Sequence, residues 1–492
     1  MSFNRPPPWR FLSPLVVLSL AGCAAGPDFT PPAAPTVAGY SAELPATTLA
    51  TPGVTGGDAQ AFTAGADISA DWWTLFHSQA LNGLIAQSLA ANHDLKAAQA
   101  ALLVAHETTL AQRGAYRPSV SAGFSATRSG ASGASAYSLF TPQVSVAYAP
   151  DLFGLNRRNV ESLQAQEQSA RYQMAATYVT LTANVANAAI QAASLQSQID
   201  ATRELIAING KITDTLRYQV SRGYASQLDL ANQASLAAQL EATLPPLLTQ
   251  LAQQRNLLAT LTGHYPSEAP TETLDLESLT LPQDLPVSLP SALVEQRPDV
   301  LQAEADLHTA IAAIGIAAAN RLPNLQLTGD AGTSAATLHS AFGPGAGFWD
   351  LGAALTAPIY QGGALLHQER AARASYVEAG EQYRGTVLTA FENVADTLAA
   401  LEHDAEALKA AAASDTAAAT ALDIARRQTQ DGYADTLSLL NAEQARQQTR
   451  IALIQAQASR YADTVALYQA LGGGWWHRTD LGAGPSGDTH AQ

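Results

Sequence analysis

Two periods alternate along this chain. Where apolar residues return every three or four positions, as at Leu81, Leu84, Ile85 and Leu89, the spacing predicts helix. Helices read in this way run from about Leu81 to Tyr116, from Asn156 to Arg222 and from Ser226 to Thr262. Between the first two, after Pro118, the period drops to two. From Ser119 to Thr127, Val120, Ala122, Phe124 and Ala126 alternate with Ser121, Gly123, Ser125 and Thr127, which predicts a strand with one greasy and one polar face. A Gly/Ser/Ala loop from Arg128 to Ala136 leads to a second strand, in which Val144, Val146 and Tyr148 alternate with Gln143, Ser145 and Ala147. Pro150 ends it.

The whole pattern then returns. Leu325, Leu327 and Ala331 alternate with Gln326, Thr328 and Asp330, and Trp349, Leu351, Ala353 and Leu355 with Asp350, Gly352, Ala354 and Thr356. Arg297-Pro298-Asp299-Val300 answers Asn92-His93-Asp94-Leu95, and Pro323 answers Pro118, at an offset of 205. At an offset of 209 the turn Gly223-Tyr224-Ala225 meets Gly432-Tyr433-Ala434, Arg217 meets Arg426, and Leu228, Leu230 and Asn232 meet Leu437, Leu439 and Asn441. A glycine closing one helix, followed by Ser226 or Asp435 as the cap of the next, is the chemistry of a tight helix reversal. Two such turns at matched positions indicate an internal duplication. Each half reads helix, strand, strand, long helix, turn, helix.

Lengths constrain the packing. The 67 residues from Asn156 to Arg222 reach on the order of 100 Å at the α-helical rise. The returning helix covers about half of that, and the helix before the strands is of the length needed to fill the remainder end to end. Pro245 and Pro246 fall inside the returning helix of the first half and predict a kink there.

Composition adds an address. The amino end carries Arg5 and Arg10, then an apolar core from Phe11 to Leu20 that is too short to span a bilayer, then Leu20-Ala21-Gly22-Cys23. Met1 to Gly22 is thus an export signal. Cys23, the one cysteine among 492 residues, stands where a bacterial lipobox places the acylated residue. The alternative is a plain signal with an incidental cysteine. Ala24, rather than an acid, follows it, which in lipoproteins favours passage to the outer membrane. Loss of the signal moves the net charge from −16 to −18, because two arginines leave with it, and such acidity argues against nucleic acid. From Ala24 to about Ala70 a Pro/Thr/Gly/Ala-rich stretch predicts an extended arm. No later run is apolar enough for a transmembrane helix.

The strands fix the environment. Four strands cannot close a barrel, and an open edge is not tolerated in lipid, so a membrane setting demands an oligomer. Phe140, Tyr148, Phe348, Trp349 and Tyr360 near the strand ends are candidates for interfacial girdles. The competing reading is a soluble sheet with one face on a core. No His-Glu-x-x-His, Walker or Gly-x-Ser-x-Gly pattern occurs, so no catalytic, cofactor-binding or metal-ligating residues are assigned.

At this point the sequence resembles the TolC/OprM-type outer-membrane efflux factors, in the lipoprotein branch serving resistance-nodulation-division pumps. The lipobox with Gly26-Pro27-Asp28-Phe29, Trp73 with Phe76 and Leu81, and Leu285-Pro286 with Leu289-Pro290-Ser291 carry the resemblance. So do Arg297-Pro298-Asp299-Val300 with Ala303-Glu304, and the closing Leu467-Tyr468-Gln469-Ala470-Leu471-Gly472-Gly473-Gly474-Trp475. The resemblance implies an α+β membrane protein and a homotrimer, with a twelve-stranded transmembrane β-barrel continued by a twelve-helix periplasmic α-barrel and a mixed equatorial belt. The expected divisions are the signal at 1–22, a lipidated arm entering the belt at 23–80, a first repeat at 81–262, a linker at 263–290, a second repeat at 291–471, and a carboxyl segment with a disordered tail at 472–492.

The implied function is an exit duct for toxic small molecules, and the implied partners are a periplasmic adaptor, an inner-membrane pump and outer-membrane lipid. A duct for metal ions or a secreted polypeptide is the alternative within the class; a lipoprotein enzyme or coiled-coil scaffold lies outside it. Ile199, Leu205, Ile206, Ile212, Leu216 and Val220 are expected to pack lengthwise between helices, leaving Gln, Ser, Asn and Thr to face the duct. The candidate periplasmic gate comprises Gly223, Tyr224, Asp229, Gly432, Tyr433 and Asp435. By the family pattern Asp229 lines the closed aperture, where a threefold ring of carboxylates sets charge selectivity. The competing role is a capping box with Ser226. Asn441 stands where the family often has an acid, which puts the second ring in doubt.

Overall fold

The computed structural model describes residues 24–37, 39–40, 46–133, 135–268, 274–434 and 436–478. The signal Met1 to Gly22, Cys23, Asp435 and the tail from Leu481 lie outside the described residues.

The helices repeat at a constant step. The long helix α3 (Leu155–Ser221) has 67 residues, as does α8 (Ala364–Gln430), and the returning helices α4 (Gln227–Leu261) and α9 (Thr436–Ala470) have 35 each. Every one of these ends obeys the offset of 209. Helix α4 runs through Pro245 and Pro246 as one element.

The helix expected from Leu81 to Tyr116 is in fact two, α1 (Gln79–Ala91) and α2 (His93–Arg113). Asn92 separates them with an extended ψ of 131°, and its Oδ1 accepts from Leu95 N at 3.0 Å, capping α2. Its amide reaches Leu261 O at 3.1 Å, the last carbonyl of α4. The second half does the same with other residues. After α5 (Pro290–Gln296), Arg297 is extended at ψ 124°, as Pro298 requires of the residue before it, and α6 (Pro298–Ala319) follows. Arg297 grips both oxygens of Asp299 and donates through Nη1 to Ala470 O at 2.9 Å, the matching last carbonyl of α9. Trp475 Nε1 donates to Gln296 O at 2.7 Å, so two of the stretches that carry the family resemblance meet here.

The chain divides into two units. One takes in the described residues before Ala33 with Ala101–Ala170 and Gln302–Arg384; the other Ala33–Ala100, Arg171–Leu301 and the residues from Gly385 onward. The first holds an antiparallel sheet of β2 (Ser119–Ser129), β3 (Tyr137–Tyr148), β5 (Asn324–Thr333) and β6 (Gly347–Thr356), in the order β2-β3-β5-β6. Strand β3 begins at Tyr137, where the expected loop ended, and Pro142 is tolerated within it because β5 pairs with β3 only from Gln143 onward. A short helix, α7 (Leu338–Ala341), stands between β5 and β6.

Register lines up the apolar positions of all four strands. Val120 opposes Val146, Val146 opposes Gly329, and Gly329 opposes Leu351; Ala122, Val144, Ala331 and Trp349 form the next row. This face is bare: Trp349 and Leu351 are 76% and 78% exposed. The opposite face carries Ser121, Ser145, Asp330 and Asp350 in one row, with the Ser145 hydroxyl donating to Asp330.

The second unit has a conventional core. Strand β1 (Ala61–Ala64), in the stretch expected to be a featureless arm, pairs parallel with β4 (Asp284–Val287). Apolar side chains of β4 are buried there, and Gln60 ties the arm to Pro282 O and Thr464, which is why it is ordered. Trp72 stacks on Tyr468 at 5.1 Å. Arg460, wholly buried, donates to Leu401 O at 2.9 Å and Asp58 O at 3.1 Å. No helix among the described residues is long and apolar enough to cross a membrane.

Candidate functional site

The two reversals in the second unit are built alike. Helix α3 ends when Gly223 takes φ 76°, with Gly223 N donating to Val220 O at 3.0 Å and Tyr224 N to Gln219 O at 2.8 Å. Helix α8 ends with Gly432 at φ 77°, Gly432 N on Thr429 O at 3.3 Å and Tyr433 N on Gln428 O at 2.8 Å. A side chain at either glycine would force an L residue into the left-handed region. The tyrosines that follow project outward, Tyr224 at 83% and Tyr433 at 86% exposure.

Asp229 lies in the first turn of α4. Its Oδ2 accepts from Ser226 N at 3.1 Å and from the Ser226 hydroxyl at 2.7 Å, while Asp229 N donates to Ser226 Oγ at 3.1 Å. The capping box is therefore formed, and Asp229 is half-buried on its own hairpin. Gly223, Tyr224 and Asp229 belong to the first hairpin and Gly432 and Tyr433 to the second, while Asp435 lies outside the described residues. What joins the hairpins lies further up: Leu422 and Ala425 of α8 and Leu439 of α9 pack together, with Ile212 of α3 against them.

The seam of α3 is more polar than its spacing suggested. Ile199, Leu205 and Leu216 are buried as expected, but Thr202 and Asn209 are buried between them. Polar residues on this helix are thus not confined to one open face. Asn209 begins a network that sequence reasoning missed. Its Oδ1 accepts from Gln233 Nε2 of α4 at 3.0 Å, and Glu443 of α9 lies beside it with Arg426 Nη2 of α8 at 3.9 Å. The Glu443 side chain is 1% exposed and makes no well-formed hydrogen bond. Burial pushes its carboxyl up, against the opposing pull of Arg426 and Asn209. The one available signal was its step of four and three residues from the buried Leu439 and Leu440.

An open groove of about 270 Å³ runs beside this network, lined by Ile208, Lys211 and Thr215 of α3 and by Thr429 of α8. Among the described residues no three His, Cys, Asp or Glu side chains gather as metal ligands. The chemistry on offer is that of two hydrogen-bonded helix reversals carrying an exposed tyrosine each and, on the first, a capping acid.

Comparisons with known proteins bear on what such a tip serves. The family model described as outer membrane efflux protein matches residues 84–264 and 289–473. The toluene efflux pump outer membrane protein TtgC of Pseudomonas putida is 30% identical over 476 residues, spanning 94% of this chain and 94% of that protein. Outer membrane protein OprJ of Pseudomonas aeruginosa is 29% identical over 486 residues, 96% of this chain and 97% of its own. Among solved structures, the outer-membrane channel OprN superimposes with a TM-score of 0.81 at 25% identity, covering 92% of this chain and 100% of that one.

Proposed function

We propose, from the premise that the chain belongs to the outer membrane efflux protein family, that it is the outer-membrane exit duct of a tripartite efflux pump. One observation carries the reading. The four-stranded sheet has an unbroken apolar face open to its surroundings, and β2 and β6 are edges without a partner among the described residues. In water such a surface would aggregate, whereas in lipid it is the required surface once neighbouring copies close the edges. Three copies, as the family resemblance implies, make a barrel of twelve strands with the polar row of Ser145, Asp330 and Asp350 inside.

The duct is passive, receiving solute from a resistance-nodulation-division pump through a periplasmic adaptor that meets the hairpin tips. Gly223, Tyr224, Asp229, Gly432, Tyr433 and Asp435 form the movable periplasmic end, with Asp229 contributing a ring of three carboxylates in addition to its capping role. An acylated Cys23 anchors the chain in the outer membrane. Ala24, to which that cysteine is joined, packs against Gly154 in the turn after β3, which supports an anchor held close to the sheet. The cargo is organic and amphiphilic. One cysteine and two methionines in the whole chain leave few soft ligands for a metal-ion path.

Two measurements test the reading. In planar bilayers the purified protein should give discrete channels, and loss of the gene should raise the host's sensitivity to solvents or antibiotics. A protein that never conducts, in a deletion strain with unchanged sensitivity, would sink it.

A further inference from the structure

The six residues that follow Cys23 are held by a site in the sheet-bearing unit that the transport reading does not use. Ala25 N donates to Phe153 O at 2.9 Å. Arg158 of α3 donates through Nε to Ala25 O at 3.0 Å, and through Nη2 to Gly26 O at 3.2 Å and Asp28 Oδ1 at 2.8 Å. Its Nη1 donates to Glu161 Oε2 at 2.7 Å. Glu161 also holds His308 of α6, Oε1 to Nε2 at 3.1 Å, and the His308 ring stacks on Phe29 at 4.2 Å with 9° between planes. Backbone lies directly on backbone at the centre. A Cβ on Gly26, which has φ +86°, would come within 2.5 Å of Gly315 Cα, and one on Gly315 within 2.8 Å of Arg158.

These contacts read a sequence. Ala25 and Gly26 are read through their backbone, glycine through its missing side chain, aspartate through its charge and phenylalanine through its ring. The Arg158 side chain is 2% exposed, and three of its four hydrogen bonds go to the arm. The arm both covers the guanidinium and supplies three of its four acceptors, so leaving the site exchanges those charge-assisted hydrogen bonds for water and leaves Glu161 as the remaining partner. Arg158 and Glu161 belong to the first repeat, His308 and Gly315 to the second.

We propose that Arg158, Glu161, His308 and Gly315 form a peptide-recognition site whose ligand is the chain's own Ala24–Phe29 segment, and that filling it latches the first repeat to the second. The arm is thus a bound ligand in cis rather than a tether. The latch is independent of what the duct carries.

The experiment uses the full-length protein in detergent. Gly26→Val alters only the arm. It should release the arm to added protease, with N-terminal fragments appearing at least about tenfold faster by intact mass, since charge-assisted hydrogen bonds are lost. The vacated site should then take up a labelled Ala-Ala-Gly-Pro-Asp-Phe peptide and refuse its Ala-Ala-Val-Pro-Asp-Phe counterpart. Asp28→Asn is the milder partner: the Asp28 side chain is 85% exposed and outside any helix, so folding is spared, and arm cleavage should still quicken. An arm equally protected in Asp28→Asn and wild type, or a Gly26→Val protein that takes up both peptides alike, overturns the proposal. Neither outcome touches channel conductance, so failure here is separable from failure of the transport reading.

Discussion

Asp229 has one observed role, the capping box, and one proposed, the charged ring, and their consequences differ. Its carboxylate closes the capping box with Ser226 through Oδ2 alone, so the cap uses one oxygen without consuming the charge. Ser226→Ala should therefore cost about 1 kcal/mol of local stability, seen as faster hydrogen exchange in the first turn of α4, and leave ion preference alone. Asp229→Asn keeps a polar N3 side chain but removes three charges from the proposed ring, and reversal-potential measurements should show weaker cation preference. Unchanged preference would leave Asp229 a cap only. Glu443 makes a different case. Burial holds its carboxyl above the ordinary 4.5, so the folded protein binds that proton more tightly than the unfolded chain. The sign follows: its contribution is fully present below 4.5 and is lost as pH rises through the folded value. Glu443→Gln should be more resistant to urea than wild type at neutral pH, the advantage vanishing in acid; a constant difference across pH would refute this. Asp229 was legible because a serine three residues before an acid at a helix start is a local signal. Glu443 was not, because its burial comes from Asn209, Gln233 and Arg426 on three other helices.

At the scale of elements, periodicity located strands and long helices, and it failed where a single residue sets a boundary. Asn92 sits inside an unbroken helical pattern, and the helix stops there because the Asn92 side chain caps α2 through Leu95 N and ties to Leu261 O. Arg297 does the equivalent work in the second half, where Pro298 also holds the residue before it extended. Strand β1 was invisible because its pairing with β4 joins segments far apart in sequence. The Asp330 and Asp350 alternation was plain, yet their direct opposition in the β5–β6 ladder emerges from register. Like charges facing across a ladder are unfavourable, and Ser145 relieves one of them. Asp350→Asn should accordingly stabilise the β5–β6 hairpin by about 0.2–1 kcal/mol, measured as slower exchange of its amides in detergent. If the opposed carboxylates are already well solvated, exchange will not change, and the pair carries no strain.

For the molecule as a whole, the free edges of the sheet determine what assemblies are possible. Every neighbouring pair in the order β2-β3-β5-β6 is antiparallel, so β2 and β6 run in opposite directions. Strand β6 of one copy can then continue the ladder with β2 of the next, and the rule holds for any number of copies. The need for an oligomer was therefore legible from four strands with one greasy face, whereas the number of copies was not, since it depends on strand tilt and shear around the closed barrel. The family resemblance implies three. Ala122 in β2 and Leu351, Ala353 and Leu355 in β6 all lie on the apolar face, so cysteines at these positions approach one another across a closed seam. Ala122→Cys combined in turn with cysteine at each β6 position should, in one register, give an oxidised ladder in outer-membrane fractions that ends at three linked chains. A ladder ending at two or four would correct the copy number. No cross-link at any β6 position would mean that the edges are satisfied in some other way, and the barrel would have to be abandoned with them.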